Sequence, residues 1–544
     1  MKRPGLHTTA TAGALALTVS LAGFLPATTT AGNASSAAPQ LAQARAGGQA
    51  LRMAVRAVGG PEALRALRSF RYAATGNRWI YDEGIRPGDR AKPSATFDER
   101  VRYVVANRRT SNRVRVDVVR TSNGADRPVH EVISGRRGFI RGVDANGSTA
   151  TTKPMTGDRG AAIREELALL NPHVLLQMAL RNPRMARDGG TAVLGGQRFR
   201  VLVLRHAVAP VRLFMSTRTG RLARLRTVQH DYLRRNVRIE VRYARWSAAG
   251  AGLRFPRTVA LWSDGQRLHR ELRPAGELVA NPRLDRSAFR IPASVQARRF
   301  GPRLSSVGRR TSEWVMSFAN LGFIKDGGQT AINPQRIAPG IILLGGVSNN
   351  SMVVRRASGV VVVEGALHDL RAEAVIGFVR RRFPGERITH VITTHHHSDH
   401  SGGMRPYVAL GARTVVHERA VPFFRRVFRE RNSSIMPDRL DRSDRPARFR
   451  AVPNGGSVVL NDANRRIEVL SFNVAHSVDM TVTFVEQGGV LFVSDVYSPP
   501  GPPGDGGQAL NDLIEANNLN VEWIAGGHGS FIAYDDFVAQ LPAG

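Results

Sequence analysis

The chain of 544 residues contains no cysteine. This absence excludes disulfide bonds, a lipid-attachment cysteine and any thiolate ligand to a metal ion. Stability must therefore come from buried apolar cores, which a chain of this length can supply as two or three domains.

Lysine is almost absent as well, since arginine supplies 74 of the 78 basic residues. The net charge is +35, but a bias this strong is more typical of high-GC codon usage than of a phosphate-binding surface. Residues 451–544 have two arginines against eleven carboxylates, a net charge of −9, which leaves +44 on residues 1–450. The basic part could bind an anionic envelope lipid or polymer, or simply be a solvated surface. No motif indicates specific nucleic-acid binding.

No apolar run is long enough to cross a membrane comfortably. The longest, at about residues 12–25, follows Lys2 and Arg3 and precedes a series of small residues, which is the form of a secretory signal peptide. We therefore predict a signal peptide over residues 1–34, a flexible spacer over 35–49, and a periplasmic or secreted mature protein without a transmembrane span. An uncleaved N-terminal anchor is the alternative.

A mostly antiparallel β domain is predicted over residues 50–292. Two short helices are expected first, over residues 50–58 and up to Leu67. Residues 237–243 then alternate between apolar and charged side chains, as in a strand with one buried face. Further strands are predicted at residues 101–105, 114–119, 198–204, 211–215 and 258–262. The segment 252–256 weakly resembles the half-barrel lipoprotein carriers of the periplasm, so the domain either positions the rest of the chain or binds lipid.

Residues 293–335 are predicted to be a linker. Within them Trp314, Val315, Phe318 and Leu321 have helical spacing. This short helix either packs against a neighbouring domain or acts as a lid over a site.

The remaining segment begins with an α/β pattern. Residues 360–363 are an apolar β-branched run typical of a buried strand, residues 367–383 carry a helical stripe, and residues 388–393 form a second strand. A strand, helix, strand succession predicts a parallel pair, and sites in such sheets lie where the strands end.

A metal-binding motif stands at that strand end, in the run Thr393 to Gly403. Side chains two apart in an extended segment point the same way, so His395 and His397 can bind one ion. The chain then bends, which allows Asp399 and His400 to face a second ion. His396 points away from its neighbours and is predicted to lie outside the ligand set.

Three later positions combine an apolar run with a further candidate ligand. His476 follows residues 467–470, Asp495 ends the run 490–495, and His528 stands in a Gly-His-Gly sequence after residues 521–525. A lone histidine at a strand end is more often structural than a ligand, but their combination with the first motif predicts a metal site. His390 and His417 match no ligand position.

With these motifs, residues 336–544 resemble the metallo-β-lactamase superfamily. The resemblance implies an α/β fold in which two sheets lie between layers of helices, the αββα sandwich. It implies that His395, His397 and His476 bind a first ion, that Asp399, His400 and His528 bind a second, and that Asp495 bridges them. It also assigns Asp399 a catalytic role beside its role as a ligand. Glu364 stands where many relatives have aspartate.

The chemistry implied is hydrolysis by a hydroxide shared between two divalent ions. Imidazole and carboxylate ligands suit zinc, with manganese or iron as alternatives. The target would be an ester, lactone, thioester or phosphodiester, and Tyr497 is a weak candidate for contacting it.

Three other functions remain open. The first is a β-lactam hydrolase, although the Cys-free lactamases of the superfamily usually lack a bridging carboxylate. The second is a mononuclear-iron dioxygenase of sulfur compounds, which would leave His400 and His528 unused. The third is an envelope lipid- or polymer-binding protein with a vestigial metal domain.

Overall fold

The computed structural model describes residues 48–80, 82–106, 111–144, 149–206, 209–231, 233–300, 330–431 and 437–542. The predicted signal peptide, most of the predicted spacer and the predicted lid helix lie outside these residues. Within them, no helix has both the length and the apolar character needed to cross a membrane.

The N-terminal part of the chain forms one antiparallel sheet of 14 strands. They are β1 Ser69–Ile80, β2 Lys92–Val104, β3 Arg113–Ser122, β4 Ala125–Ser134, β5 Arg137–Val143, β6 Ala150–Pro154, β7 Ala186–Leu194, β8 Gln197–Leu204, β9 Val211–Ser216, β10 Leu222–Asp231, β11 Arg235–Ala248, β12 Arg254–Ser263, β13 Gln266–Leu272 and β14 Val279–Ala280.

Strand β1 lies at the middle of this sheet. Strands β2 to β6 follow it in sequence on one side, and β13 down to β7 follow on the other. The short β14 also pairs with β1, at Phe70 and Arg71. A strand paired along both edges is held firmly, so the loop that leaves β1 starts from a fixed position.

Four helices accompany the sheet: α1 at residues 48–57, α2 Pro61–Ala66, α3 Gly157–Leu170 and α4 His173–Arg181. Their apolar residues share one core with the sheet, in which Leu64, Leu167 and Leu175 meet Val241 and Phe255. The antiparallel β domain predicted from the alternating pattern is confirmed, and each predicted strand lies in or within one residue of an observed one. Helices α3 and α4 were not predicted, and α3 has no simple apolar stripe because Arg159 and Gly160 are also buried.

The C-terminal part contains two mixed sheets. The first holds seven strands in sequence order: β15 Asn333–Ala338, β16 Ile341–Gly345, β17 Ser351–Arg356, β18 Gly359–Val363, β19 Ile388–Ile392, β20 Arg413–His417 and β21 Phe449–Val452. The second holds six: β22 Ser457–Leu460, β23 Ile467–Ser471, β24 Thr481–Val485, β25 Val490–Val493, β26 Trp523–Gly526 and β27 Phe531–Ala533.

Six helices accompany these two sheets in the described residues, and all except α6 pack on the outer faces. They are α5 Asp369–Arg382, α6 Ser398–Ser401, α7 Met404–Leu410, α8 Val421–Arg429, α9 Gly504–Ala516 and α10 Tyr534–Val538. One core between the sheets joins Val361 and Ile392 to Val469 and Phe492. A second core lies between the first sheet and α5, α7 and α8, and a third between the second sheet and α9 and α10. The predicted αββα order is confirmed, as is the parallel pairing of β18 with β19.

The two parts of the chain share an interface. Ile80 at the end of β1 and Leu233 in the turn between β10 and β11 pack into the core beside α5, α7 and α8. Arg235, at the start of β11, forms buried ion pairs with Asp438 and Asp441, which also bind Arg405. The end of β1 is thereby brought next to the first C-terminal sheet.

Four single-turn 3₁₀ helices complete the described structure, at Pro183–Met185, Arg286–Phe289, Glu418–Ala420 and Leu440–Arg442.

Candidate metal centre

The predicted ligands stand on four chain segments at one end of the two C-terminal sheets. His395 and His397 follow β19, and Asp399 and His400 lie in the short helix α6. The other three stand in the turns between strands: His476 between β23 and β24, Asp495 just after β25, and His528 between β26 and β27. The fold brings all seven side chains together.

Local hydrogen bonds fix the bend that carries the first four candidates. Thr393 Oγ1 donates to the carbonyl of His395 at 3.0 Å, and Ser401 Oγ is 2.9 and 3.0 Å from the carbonyls of His396 and His397. Gly403 follows at a close approach, where a Cβ would lie 2.7 Å from the carbonyl oxygen of Ala366. Glycine is therefore required for the chain to turn into α7.

Three imidazoles and one carboxylate form a first group. His476 Nε2 lies 3.2 Å from His395 Nε2 and 3.0 Å from His397 Nδ1. Asp495 Oδ2 lies 3.1 Å from His476 Nε2 and 3.7 Å from His395 Nε2. One ligand atom from each of these four residues lies within 4.8 Å of all the others.

Asp399, His400 and His528 form a second group by the same criterion. Asp399 Oδ2 lies 3.5 Å from His400 Nε2 and 4.0 Å from His528 Nε2. Asp495 Oδ1 is 2.8 Å from His400 Nε2 and 3.0 Å from His528 Nε2. The two oxygens of Asp495 therefore face different groups.

In three of the candidate histidines, the ring nitrogen that faces away from the groups contacts other protein atoms. His395 Nδ1 is 3.0 Å from Thr394 Oγ1, and His400 Nδ1 is 2.9 Å from Ser494 Oγ. His528 Nδ1 lies 2.9 Å from the carbonyl oxygen of Ser348. Such contacts fix the orientation of metal-binding histidines and leave the other nitrogen for an ion.

Burial and neighbouring charges set the protonation of the cluster. Burial, together with the imidazoles of His397 and His400, lowers the pKa of His395 well below its usual value. Burial and the adjacent histidines lower the pKa of His397 to about 4. Burial would also lower the pKa of His400, but nearby carboxylates, Asp399 foremost, raise it well above the usual value. Two imidazoles of the first group are thus neutral at pH 7, the state that binds cations.

The residues present fit divalent cations. Tetrahedral ligands about 2.0–2.1 Å from a zinc ion lie about 3.3 Å from one another, close to the 3.0 and 3.2 Å between the imidazole nitrogens of the first group. Asp399 Oδ1 is buried without a hydrogen-bond partner. Neutral imidazoles and carboxylates are the ligands that zinc, manganese and iron prefer in proteins.

The family model described as the metallo-beta-lactamase superfamily matches residues 344–528, which contain all seven candidates. Residues 344–528 belong to this superfamily. A domain of this superfamily suggests metal-dependent hydrolase activity. No curated protein matches the chain.

Several solved structures resemble part of the chain. A B3 metallo-beta-lactamase with an active-site glutamic acid has 18% identity and a TM-score of 0.29, over 39% of this chain and 87% of that one. DIM-1 metallo-beta-lactamase has 16% identity and a TM-score of 0.30, over 38% and 94%. The flavodiiron protein of Giardia intestinalis has 14% identity and a TM-score of 0.30, over 39% of this chain and 58% of that protein.

The other predicted residues of the metallo-beta-lactamase domain lie outside the two groups. His396 is buried and its Nδ1 lies 2.8 Å from Asp479 Oδ1. His390 Nδ1 contacts Thr389, and His417 Nε2 contacts Ser471. Tyr497 is 2% exposed and packs its ring against Phe537 at 5.0 Å, within the core of the second sheet.

Asn349 and Ser494 at the centre were not singled out from the sequence, whereas Glu364 was. Asn349 Nδ2 donates to Asp399 Oδ2 at 3.1 Å, and Ser494 binds His400. Glu364 is buried, with Oε2 3.4 Å from His400 Nδ1. The polar run 348–350 after an apolar strand was the available signal for Asn349, since it repeats the pattern that identified Asp495.

Proposed function

We propose that the chain is a dinuclear metal-dependent hydrolase whose substrate is an ester, lactone, thioester or phosphodiester. The observation that carries the proposal is the position of Asp495, whose two carboxylate oxygens face two separate groups of candidate ligands. In this assignment His395, His397 and His476 hold a first ion, Asp399, His400 and His528 hold a second, and Asp495 contacts both. Zinc is proposed first, with manganese or iron as alternatives.

Two ions bound there would supply Lewis acidity and activate a water molecule for attack on a carbonyl or phosphoryl centre. The protein's own contribution is positioning. Asn349 holds Asp399 Oδ2, so that one carboxylate oxygen is oriented while Oδ1 stays free to accept a proton. Asp399 is therefore the proposed proton acceptor.

Access to the site supports a reaction with an external substrate. The side chains of His476 and His528 are 31% and 30% exposed, whereas His395 and His400 are fully buried. One side of the cluster thus meets solvent while the other is enclosed by protein. Substrate is proposed to enter past His476 and His528.

We also propose export, with an anionic envelope component bound by the N-terminal sheet. A cavity of about 550 Å³ on that sheet is lined by Arg212, Arg226, Arg238 and Arg242, with Glu240 and Trp262 among them. The excess of arginine over carboxylate supports an anionic occupant. N-terminal sequencing of the protein from its native host would test cleavage of the signal peptide, since an intact Met1 would favour an uncleaved anchor.

Elemental analysis of the purified protein tests the metal assignment. Close to two zinc or manganese ions per chain are expected, falling to about one in His400→Ala. Esters, lactones, thioesters and phosphodiesters would then be screened, with β-lactams as a comparison set. One iron per chain, unchanged by His400→Ala, would overturn the proposal in favour of a sulfur-compound dioxygenase. Full metal loading without turnover of any substrate would favour a binding protein.

A further inference from the structure

A loop of the N-terminal domain reaches the metal centre. Gly84, just beyond the end of β1, places its carbonyl oxygen 2.8 Å from His397 Nε2. Because a carbonyl oxygen only accepts hydrogen bonds, Nε2 carries the proton and Nδ1 is left to face His476. The N-terminal domain thus sets which nitrogen of His397 is available to an ion.

The same loop adds a carboxylate. Glu83 Oε1 accepts hydrogen bonds from Ser398 Oγ at 2.7 Å and from Ser398 N at 3.2 Å. Its other oxygen, Oε2, lies 3.5 Å from His397 Nδ1. The Glu83 side chain is 16% exposed, so its carboxyl group lies beside the first group with little water around it.

Backbone contacts hold the loop on both sides of the first group. Ser398 N donates to the carbonyl oxygen of Asp82 at 3.2 Å, and Val478 N donates to that of Ile85 at 2.9 Å. These contacts connect the loop to the segments that carry His397 and His476. Gly84 is required there, since a Cβ would lie 2.5 Å from Asp89 Cβ.

The loop is anchored to the N-terminal sheet. The buried carboxylate of Asp82 accepts from Arg234 Nε at 2.8 Å and from Nη2 at 2.6 Å. Arg234 immediately precedes β11, and β1 is paired along both edges. The position of the loop is therefore set by the N-terminal sheet.

We infer that residues 82–85 are a positioning element of the metal centre, so that the N-terminal domain is part of the catalytic unit. Gly84 orients His397, and Glu83 strengthens the attraction of the first group for a cation. The inference rests on the proposed metal centre but does not require that the reaction be a hydrolysis.

Metal binding to the full chain tests this inference. Glu83→Gln replaces the carboxyl group by an amide of the same shape, and Gly84→Ala displaces the loop. Both are expected to weaken Zn²⁺ binding at the first group about 10- to 100-fold in competition with a chromophoric chelator, as is usual when a residue behind a ligand is changed. Both should also alter the visible absorption of the Co²⁺-loaded protein. The Zn²⁺-binding step that disappears from the titration of His476→Ala is assigned to the first group.

Asp441→Asn is the matched control, because it is also a carboxylate-to-amide change at the interface between the domains, in contact with Arg235. It should lower the melting temperature while leaving Zn²⁺ affinity and the Co²⁺ spectrum unchanged. If Glu83→Gln and Gly84→Ala behave like this control, the loop only joins the domains and the inference is wrong. Circular dichroism checks folding, and the isosteric Glu83→Gln carries the test if Gly84→Ala does not fold. Loop-dependent metal binding without turnover would refute the hydrolase proposal alone.

Discussion

Asp495 Oδ1 lies 2.8 Å from His400 Nε2, while the other oxygen of the same carboxylate lies 3.1 Å from a histidine of the other group, His476. Burial would raise the pKa of Asp495, but His400 and its hydrogen bonds hold that pKa well below the usual range. The carboxylate is therefore ionised and available to both groups at once.

Asp495→Asn should consequently weaken both groups. Asparagine keeps one carbonyl oxygen but turns an NH₂ group toward the other set of ligands, where it repels a cation. Bound metal is expected to fall below one ion per chain after gel filtration, as measured by elemental analysis. His528→Ala, which affects the second group only, should retain about one. Retention of two ions by Asp495→Asn would show that the carboxylate is not shared.

His396→Ala should destabilise the protein without loss of metal. The buried carboxylate of Asp479 would lose its hydrogen-bond partner His396, and leaving a buried acceptor unsatisfied costs about 1–3 kcal/mol. His395→Ala should show the opposite pattern, with lost metal and a smaller change in the metal-free protein. Thermal unfolding of the metal-free forms and metal analysis of the loaded forms separate the two. Loss of metal from His396→Ala would place His396 among the ligands.

Glu99→Gln should change the pH dependence of stability. Burial and then the neighbouring carboxylate of Glu271 raise the pKa of Glu99 from 4.5 to about 8. Between these values the folded protein keeps a proton that the unfolded chain releases, so stability falls as pH rises through this window. Glu99→Gln has no such proton to release. Its free energy of unfolding relative to the wild type should therefore increase by about 1–3 kcal/mol between pH 5 and 8.5.

Melting temperatures of both proteins at the two pH values measure this difference. The exposed Glu62→Gln in α2 is the control and should follow the wild type. If the melting temperature of Glu99→Gln changes with pH as much as that of the wild type, Glu99 is ionised in the folded protein.

Gly526→Ala should disturb the turn that carries His528. An added Cβ would lie 2.1 Å from the His528 carbonyl oxygen and 2.6 Å from Pro499 Cδ. A cost of about 1–3 kcal/mol and loss of the second ion are expected. Gly377→Ala in helix α5 is the control, since its Cβ meets only the flexible end of Arg381 at 3.3 Å and should stabilise the helix by about 0.5–1 kcal/mol. Equal behaviour of the two variants would contradict the close approach.

The sequence predicted the C-terminal fold well because its signals are local. The run 360–363 became β18, the stripe over 367–383 became α5, and the motif residues from His395 to His400 meet the more distant His476, Asp495 and His528. Apolar periodicity identifies such elements, and a motif with fixed spacing identifies a site at a strand end. In the N-terminal part, the alternation of apolar and charged residues identified the strands.

The contributions of Glu83 and Gly84 could not be predicted in this way. More than 300 residues separate Gly84 from His397, and the loop 82–85 has no periodicity and no motif. Helix α3 was missed for a different reason, since it buries Arg159 through ion pairs with Glu131 and Asp144. A charged side chain that is buried in ion pairs occupies a position where an apolar residue is expected. Hydrophobic periodicity therefore does not identify such a helix.

The placement of β1 at the middle of the 14-stranded sheet has a consequence for how the two domains can diverge. The loop after β1 contacts residues 397–398 and 477–478. A substitution in the loop or in these residues therefore alters the contact between them. The two domains are therefore not interchangeable modules: a C-terminal domain transplanted from a relative would meet a foreign loop. Substitutions at positions 83–85 should therefore be accompanied in evolution by substitutions at residues 397–398 and 477–478.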